Sequence, residues 1–227
     1  MSNKFLLFLA SSTAFIALVS LAHFPSSIKT SSDNTGELAY AVANNDLSGE
    51  VEADETEGFI DGEEVKVPPI LPYDEPKTVL GINNENKWIE VDLSEQKLRA
   101  WEGNTLILES LTSTGLPYFP TPKGEFHIWY KTRATRMKGG EGRYAYNLPN
   151  VPNTMFFEGP GVPSSKGYGI HGAYWHNDFG KVHSHGCVNL PLDKAAQLYE
   201  WASPDMQGKS ALRASADNPG TRIVIHE

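Results

Sequence analysis

"KWIEVDLSEQKLRAWEGNTLILESLTSTG", Lys87 to Gly115, decides the fold class. It opens on alternation, with Trp88, Glu90 and Asp92 on one side and Ile89, Val91 and Leu93 on the other. A period of two places an apolar set on one face of an extended strand. "SEQ" then reads as a turn, "KLRAW" as a second strand, "EGN" as another turn and "TLILESLTST" as a third strand. Short strands joined by tight polar turns make a β-meander.

Downstream, "FPTPKGEFHIWYKTRA" predicts a Pro-Gly loop followed by a strand from Glu125 to about Lys131. "TMFFEG" and "KGYGIHGAYW" are two further strand candidates, and "TRIVIHE" closes the chain as another. Only "NLPLDKAAQLYEWASP" changes period: Leu192, Ala195, Ala196 and Tyr199 recur at helical spacing, with Asp193 in the first turn and Pro204 beyond the end. The expected architecture is mainly β, sandwich- or barrel-like, with one principal helix over residues 84–227.

Upstream lie two segments of other character. From Phe5 to Ala22 the chain is apolar and uncharged, preceded by Lys4. Residues 1–27 therefore read as a secretory signal, with Ser20 and Ala22 as a small-x-small cleavage site, or as an uncleaved N-terminal membrane anchor using residues 5–22. Either reading predicts an exported protein of the cell envelope. Between Ser31 and Pro76 there are thirteen Asp and Glu against one basic residue, Lys66. The chain's net charge of −9 therefore belongs to this stretch, and the remainder is close to neutral, which argues against electrostatic binding of nucleic acid. Acidic, poor in aromatics and ending in "VPPILPYDEP", residues 28–83 are expected to form a disordered spacer with an r.m.s. span of roughly 40 Å.

The single cysteine, Cys187, stands in "KVHSHGCVNL". With no partner it forms no internal disulfide, so it is either an inert buried thiol or a reactive one. Its surroundings are polar and rich in histidine, and Gly186 lets the backbone come close to a reacting atom. Backbone N–H groups around such a turn can hold an oxyanion. A neighbouring imidazole favours the thiolate. His171, His176, His183 and His185 are the candidates; chemistry favours His171, at the end of an apolar strand, and keeps His185 as the alternative. The rival reading is a zinc site built from "HSHGC" with His171 and His176, but His-x-His-x-Cys is not a common zinc pattern. Ser184 lacks the Gly-x-Ser-x-Gly setting of a serine nucleophile.

At "SHGCVN" and "GIHG" the sequence resembles the L,D-transpeptidase catalytic-domain family of bacterial cell-wall enzymes. "FPTPKGEF" is similar to a second element of that family, and the opening strands and "HGAYWHNDFG" look like its usual start and a variant of its loop. The resemblance implies that Cys187 is the nucleophile, that His171 is its base, and that the Gly172 carbonyl orients the imidazole. It places His185, Gly186 and Cys187 at the oxyanion hole through their backbone N–H groups, and Asn189 at a position the family fills with Asn or Arg. Tyr168, Tyr174, Trp175, His176, Ser184 and Asn189 are the candidate substrate-lining residues; the aromatic ones have core packing as the plainer reading.

No metal and no cofactor are expected. The implied partners are peptidoglycan stem peptides: a tetrapeptide donor that loses D-alanine to form a thioacyl-enzyme on Cys187, and a diamino-acid acceptor that completes a 3→3 cross-link. The alternatives are an L,D-carboxypeptidase or endopeptidase using the same thiol, and a non-catalytic wall- or zinc-binding module.

Overall fold

A computed structural model describes residues 47–69 and 86–227. The expected signal or anchor over 1–27, and residues 28–46 and 70–83 of the expected spacer, lie outside them.

The meander forms as the alternation predicts: β3 (Lys87–Asp92), β4 (Lys97–Glu102) and β5 (Thr105–Leu111) pair antiparallel in sequence order. Ile89, Val91, Leu98 and Ala100 turn to the main core and are fully buried, each large aliphatic contributing about 1.5–3 kcal/mol. The chain's last strand, Arg222–His226, inserts parallel to β3 and antiparallel to β6 (Gly124–Gly139), tying the meander to the rest of the sheet.

β6 and β7 (Tyr146–Glu158) form one long antiparallel ribbon. β6 runs sixteen residues, well beyond the expected end at Lys131. Register shifts near Tyr130 and Met137 break its alternation, which is why the sequence hides its length. The ribbon is buried on both faces. Phe126, Ile128, Met155 and Phe157 join the main core, while Trp129, Met137, Leu148, Val151 and Phe156 build a second cluster. The result is a mixed sheet consistent with a β-sandwich, as expected.

Two strands that hold the site follow: β8 (Gly169–Gly172) and β9 (Val188–Leu190), paired in parallel. α1 (Leu192–Trp201) leaves β9 directly and is the one α-helix among the described residues. Its buried face is Ala195, Leu198, Tyr199 and Trp201, so Leu192, expected on that face, is instead 40% exposed. Lys131 of β6 is buried under the end of α1. Its Nζ donates to the Tyr199 and Ala202 carbonyls at 2.6 Å each and lies 4.3 Å from the centre of the Tyr199 ring. Its Nζ thus satisfies carbonyls that the helix end leaves without partners, and burial pushes its pKa down to about 7. β10 (Ala211–Arg213) pairs with β6.

The acidic stretch departs from expectation. Within residues 47–69, β1 (Glu57–Ile60) and β2 (Glu63–Lys66) make a hairpin, and β1 pairs with β7 through Phe59 and Ile60. Asp61 and Gly62 at its turn both have positive φ, 53° and 83°. Asp-Gly is the residue pair that a two-residue hairpin turn prefers. Leu47, Ile60 and Val65 pack on the second apolar cluster, and that burial supplies the ordering energy a free acidic chain lacks.

Candidate active site

The parallel register of β8 and β9 sets His171 opposite Asn189 and Ile170 opposite Val188. Cys187 immediately precedes β9, so alternation sends it to the same side as Asn189 and hence as His171. Both line one cleft. Its wall also includes Ile60, Met137, Tyr146, Gly167 and Trp175.

The tail of the meander clamps the cysteine loop on both sides. Thr112 Oγ1 and Ser113 N donate to the Asn189 carbonyl at 2.7 and 3.0 Å, and Asn189 N donates to Ser113 O at 2.8 Å. On the other side, Ser184 N donates to Thr114 O and Leu116 N to Ser184 O, at 3.0 and 2.8 Å. The "FPTPKGEF" loop supplies Thr121, whose hydroxyl donates to the Gly186 carbonyl and accepts from Gly115 N, both at 2.9 Å. Sequence reasoning missed Thr121; its place in a recognised motif was the available signal.

His171 is 2% exposed, and its Nδ1 lies 3.0 Å from the Gly172 carbonyl. A carbonyl only accepts, so Nδ1 carries the proton and Nε2 keeps its lone pair. Burial pushes this imidazole down to about 4, partly offset by the Gly172 bond. Burial pushes the Cys187 thiol up to about 11, partly offset by a backbone bond from Gly169, and Sγ donates to the Gly167 carbonyl at 3.8 Å. Burial thus opposes charge on both groups, whereas the sequence expectation is an imidazole that favours the thiolate.

Gly186 has φ +115°, and a Cβ there would lie 2.8 Å from Tyr168 Cε1. Only glycine fits both conditions without strain. Its expected role as an oxyanion donor needs correction, because Gly186 N–H donates to Ser184 Oγ at 3.0 Å. Ser184 lines the cleft, and its hydroxyl donates to the Cys187 carbonyl, so it also staples the loop.

The other candidates divide. Trp175 and Asn189 line the cleft, and the Trp175 ring is 5.7 Å from that of His171. Tyr168, Tyr174 and His176 are held by further contacts, with Tyr168 lying against Gly186 beside Cys187. Tyr168 stacks on Phe157 at 6.0 Å, and the Tyr174 hydroxyl donates to Pro149 O at 2.7 Å. His176 stands behind Asn189 and stacks on His183 at 4.0 Å. Its Nδ1 accepts from Asp178 N at 3.2 Å, which leaves the proton on Nε2, 3.0 Å from the Asn189 amide group. With the amide oxygen of Asn189 toward His176, Nε2–H has its acceptor.

His185 occupies a different place from His171. Its ring packs between Phe119 at 4.9 Å and Tyr146 at 5.3 Å, and Nε2 lies 3.2 Å from Asp61 Oδ1 at the β1–β2 turn. Among the described residues, no cluster of three or more His, Cys, Asp or Glu side chains is placed to hold a metal ion. Nor is any described helix long and apolar enough to cross a membrane.

Comparison with known proteins adds to this geometry. No curated protein sequence matches the chain. Among solved structures, an L,D-transpeptidase from Mycobacterium smegmatis is similar at 23% identity and TM-score 0.50, over 63% of this chain and 59% of that one. The C442S mutant of an Enterococcus faecium L,D-transpeptidase is similar at 26% identity and TM-score 0.47, over 63% of this chain and 50% of that one. The chain thus spans only half to three-fifths of these proteins' length. The first likeness is one of fold. A family model described as the L,D-transpeptidase catalytic domain (YkuD) matches residues 86–225, most of the chain and all of β3 to α1. This chain belongs to the L,D-transpeptidase catalytic domain family.

Proposed function

We propose that the protein is a cysteine acyltransferase of the bacterial cell envelope that forms 3→3 cross-links between peptidoglycan stems. The observation that carries this reading is the placing of Cys187 and His171 on one cleft wall, with the His171 tautomer held by Gly172, inside a matched catalytic domain. Cys187 Sγ attacks the carbonyl of the third residue of a donor tetrapeptide. Because burial opposes charge on both thiol and imidazole, the proton passes to His171 Nε2 as the carbon–sulfur bond forms. The negative charge that develops on the carbonyl oxygen meets the backbone N–H groups of His185 and Cys187. His171 then returns the proton to the departing D-alanine amine, leaving a thioester. The side-chain amine of a diamino acid on a neighbouring stem attacks that thioester, and the thiol is restored. No nucleotide is consumed, since the broken peptide bond supplies the acyl group.

Residues 1–27 would carry the protein out of the cytoplasm, cleaved or retained as an anchor. Fractionation of cells expressing the full chain, with the N-terminus of the recovered protein sequenced, tests that part. The reaction is tested by incubating purified protein with a tetrapeptide donor and separating the products. Cross-linked dimer with free D-alanine supports the transferase. Tripeptide alone makes the protein a carboxypeptidase using the same thiol, and no turnover with no acyl-enzyme leaves a non-catalytic wall-binding module.

A further inference from the structure

Residues 47–69 lie outside the family match, yet they contribute to the cleft. Ile60 forms part of the wall shared with Cys187 and His171. The hairpin is held by backbone and charge together. Phe59 and Ile60 pair with Asn147 and Tyr146, and Asp61 N donates to Ala145 O at 3.1 Å. Glu52 meets Arg136, and its N–H donates to Asn150 Oδ1 at 2.8 Å. Asp61 is thereby fixed at the rim. Its side chain is 38% exposed, with one oxygen 3.2 Å from His185, itself a cleft residue. The neighbouring Glu63 and Glu64 are exposed.

We propose that the β1–β2 turn is the acceptor-recognition element, with the Asp61 carboxylate drawing the primary ammonium of the incoming acceptor to the cleft mouth. This rests on the acyl-transfer reading and adds what selects the second substrate. At neutral pH a side-chain amine arrives protonated, and water competes with it for the thioester. A fixed carboxylate beside the opening raises the local concentration of the cation and leaves that of water unchanged. The ammonium sheds one proton to solvent before its lone pair attacks. The nitrogen–carbon bond then forms, the carbon–sulfur bond breaks, and the second nitrogen proton ends on Cys187, so one proton is released per transfer. The carboxylate belongs to the rim and the chemistry to the floor; Asp61 selects and Cys187 reacts.

The test uses the full chain, acylated by a tetrapeptide donor and offered either Nα-acetyl-lysine amide, a cationic amine, or hydroxylamine, which is uncharged at pH 7. The readout is the ratio of transferred to hydrolysed product per acyl-enzyme formed. Asp61→Asn, which tolerates the positive φ of this turn, is expected to lower the lysine-amide ratio about fivefold, the size expected of a partly exposed charge contact. Asp61→Glu restores much of it, the hydroxylamine ratio stays within about twofold, and added salt narrows the gap between wild type and Asp61→Asn. An unchanged lysine-amide ratio in Asp61→Asn, or equal losses with both acceptors, overturns the inference while leaving the transferase intact. Absence of any acyl-enzyme in the wild type overturns both.

Discussion

The floor and the rim of one cleft are built on opposite principles. At the floor, all four residues of β8 are buried, and desolvation opposes charge on Cys187 and His171. At the rim, the β1–β2 hairpin is acidic and largely exposed; Ile60 lines the cleft, and Asp61 lies 3.2 Å from the cleft residue His185. Each end holds an imidazole. His171 is fixed by a backbone carbonyl that leaves a lone pair for chemistry, whereas His185 is packed among aromatic rings beside a carboxylate. The contrast is one of setting: His185 is two residues from Cys187 but packs among aromatic rings, whereas His171, from another strand, keeps a lone pair on Nε2.

The largest expected effect breaks the comparison at the two histidines. His171→Gln should slow acylation of Cys187 about 10²- to 10⁴-fold, the usual worth of a positioned proton-transfer group. His185→Gln should cost less than about tenfold, as expected for a rim contact. Equal losses in stopped-flow acylation would erase the distinction. In wild type, kcat/KM should rise through about pH 4 as His171 loses its proton and show no loss near neutrality. A fall near pH 6 to 7 would instead mark a resting thiolate–imidazolium pair.

Stability should follow the same floor. His171 and His176 both have folded values near 4, below the ordinary 6.5, with burial as the main cause. Between those values the unfolded chain binds more protons than the folded one. Their contribution is therefore complete above about pH 6.5 and is lost as pH falls through about 4, amounting to about 3 kcal/mol for His171. Chemical denaturation across that range checks it, and His171→Gln should flatten the curve.

Gly186→Ala should cost about 1–3 kcal/mol from its positive φ and its approach to Tyr168, and should slow acylation by shifting the Cys187 loop. Thermal unfolding alongside acylation rates separates the two effects. The smallest change is expected from Glu52→Gln, which weakens the partly exposed contact with Arg136 by about 1 kcal/mol or less. Hydrogen exchange should then show faster opening of β1 and no change in β8.

The chemistry of the floor was legible because it is carried by residue types at fixed spacing. "GIHG" forms β8 and "SHGC" leads directly into β9, and the parallel pairing of the two strands puts Cys187 and His171 on one side. The far half of β6 was not legible, because its register shifts destroy the period that announces a strand. The hairpin was hidden for another reason: net acidity argued for disorder, while "FIDGEEV" already held an Asp-Gly turn between strand-forming residues. Local turn chemistry and docking onto β7 outweighed composition. Lys131 could not be read at all, since only the helix end packed above it explains a buried lysine.

The most direct test is the intact mass of the protein after brief incubation with a tetrapeptide donor. The account predicts a gain equal to the donor less D-alanine, mapped to Cys187 by peptide sequencing, absent from Cys187→Ala and strongly slowed in His171→Gln. A folded wild type that reacts at another residue, or gains no mass while its thiol remains reduced, would contradict it.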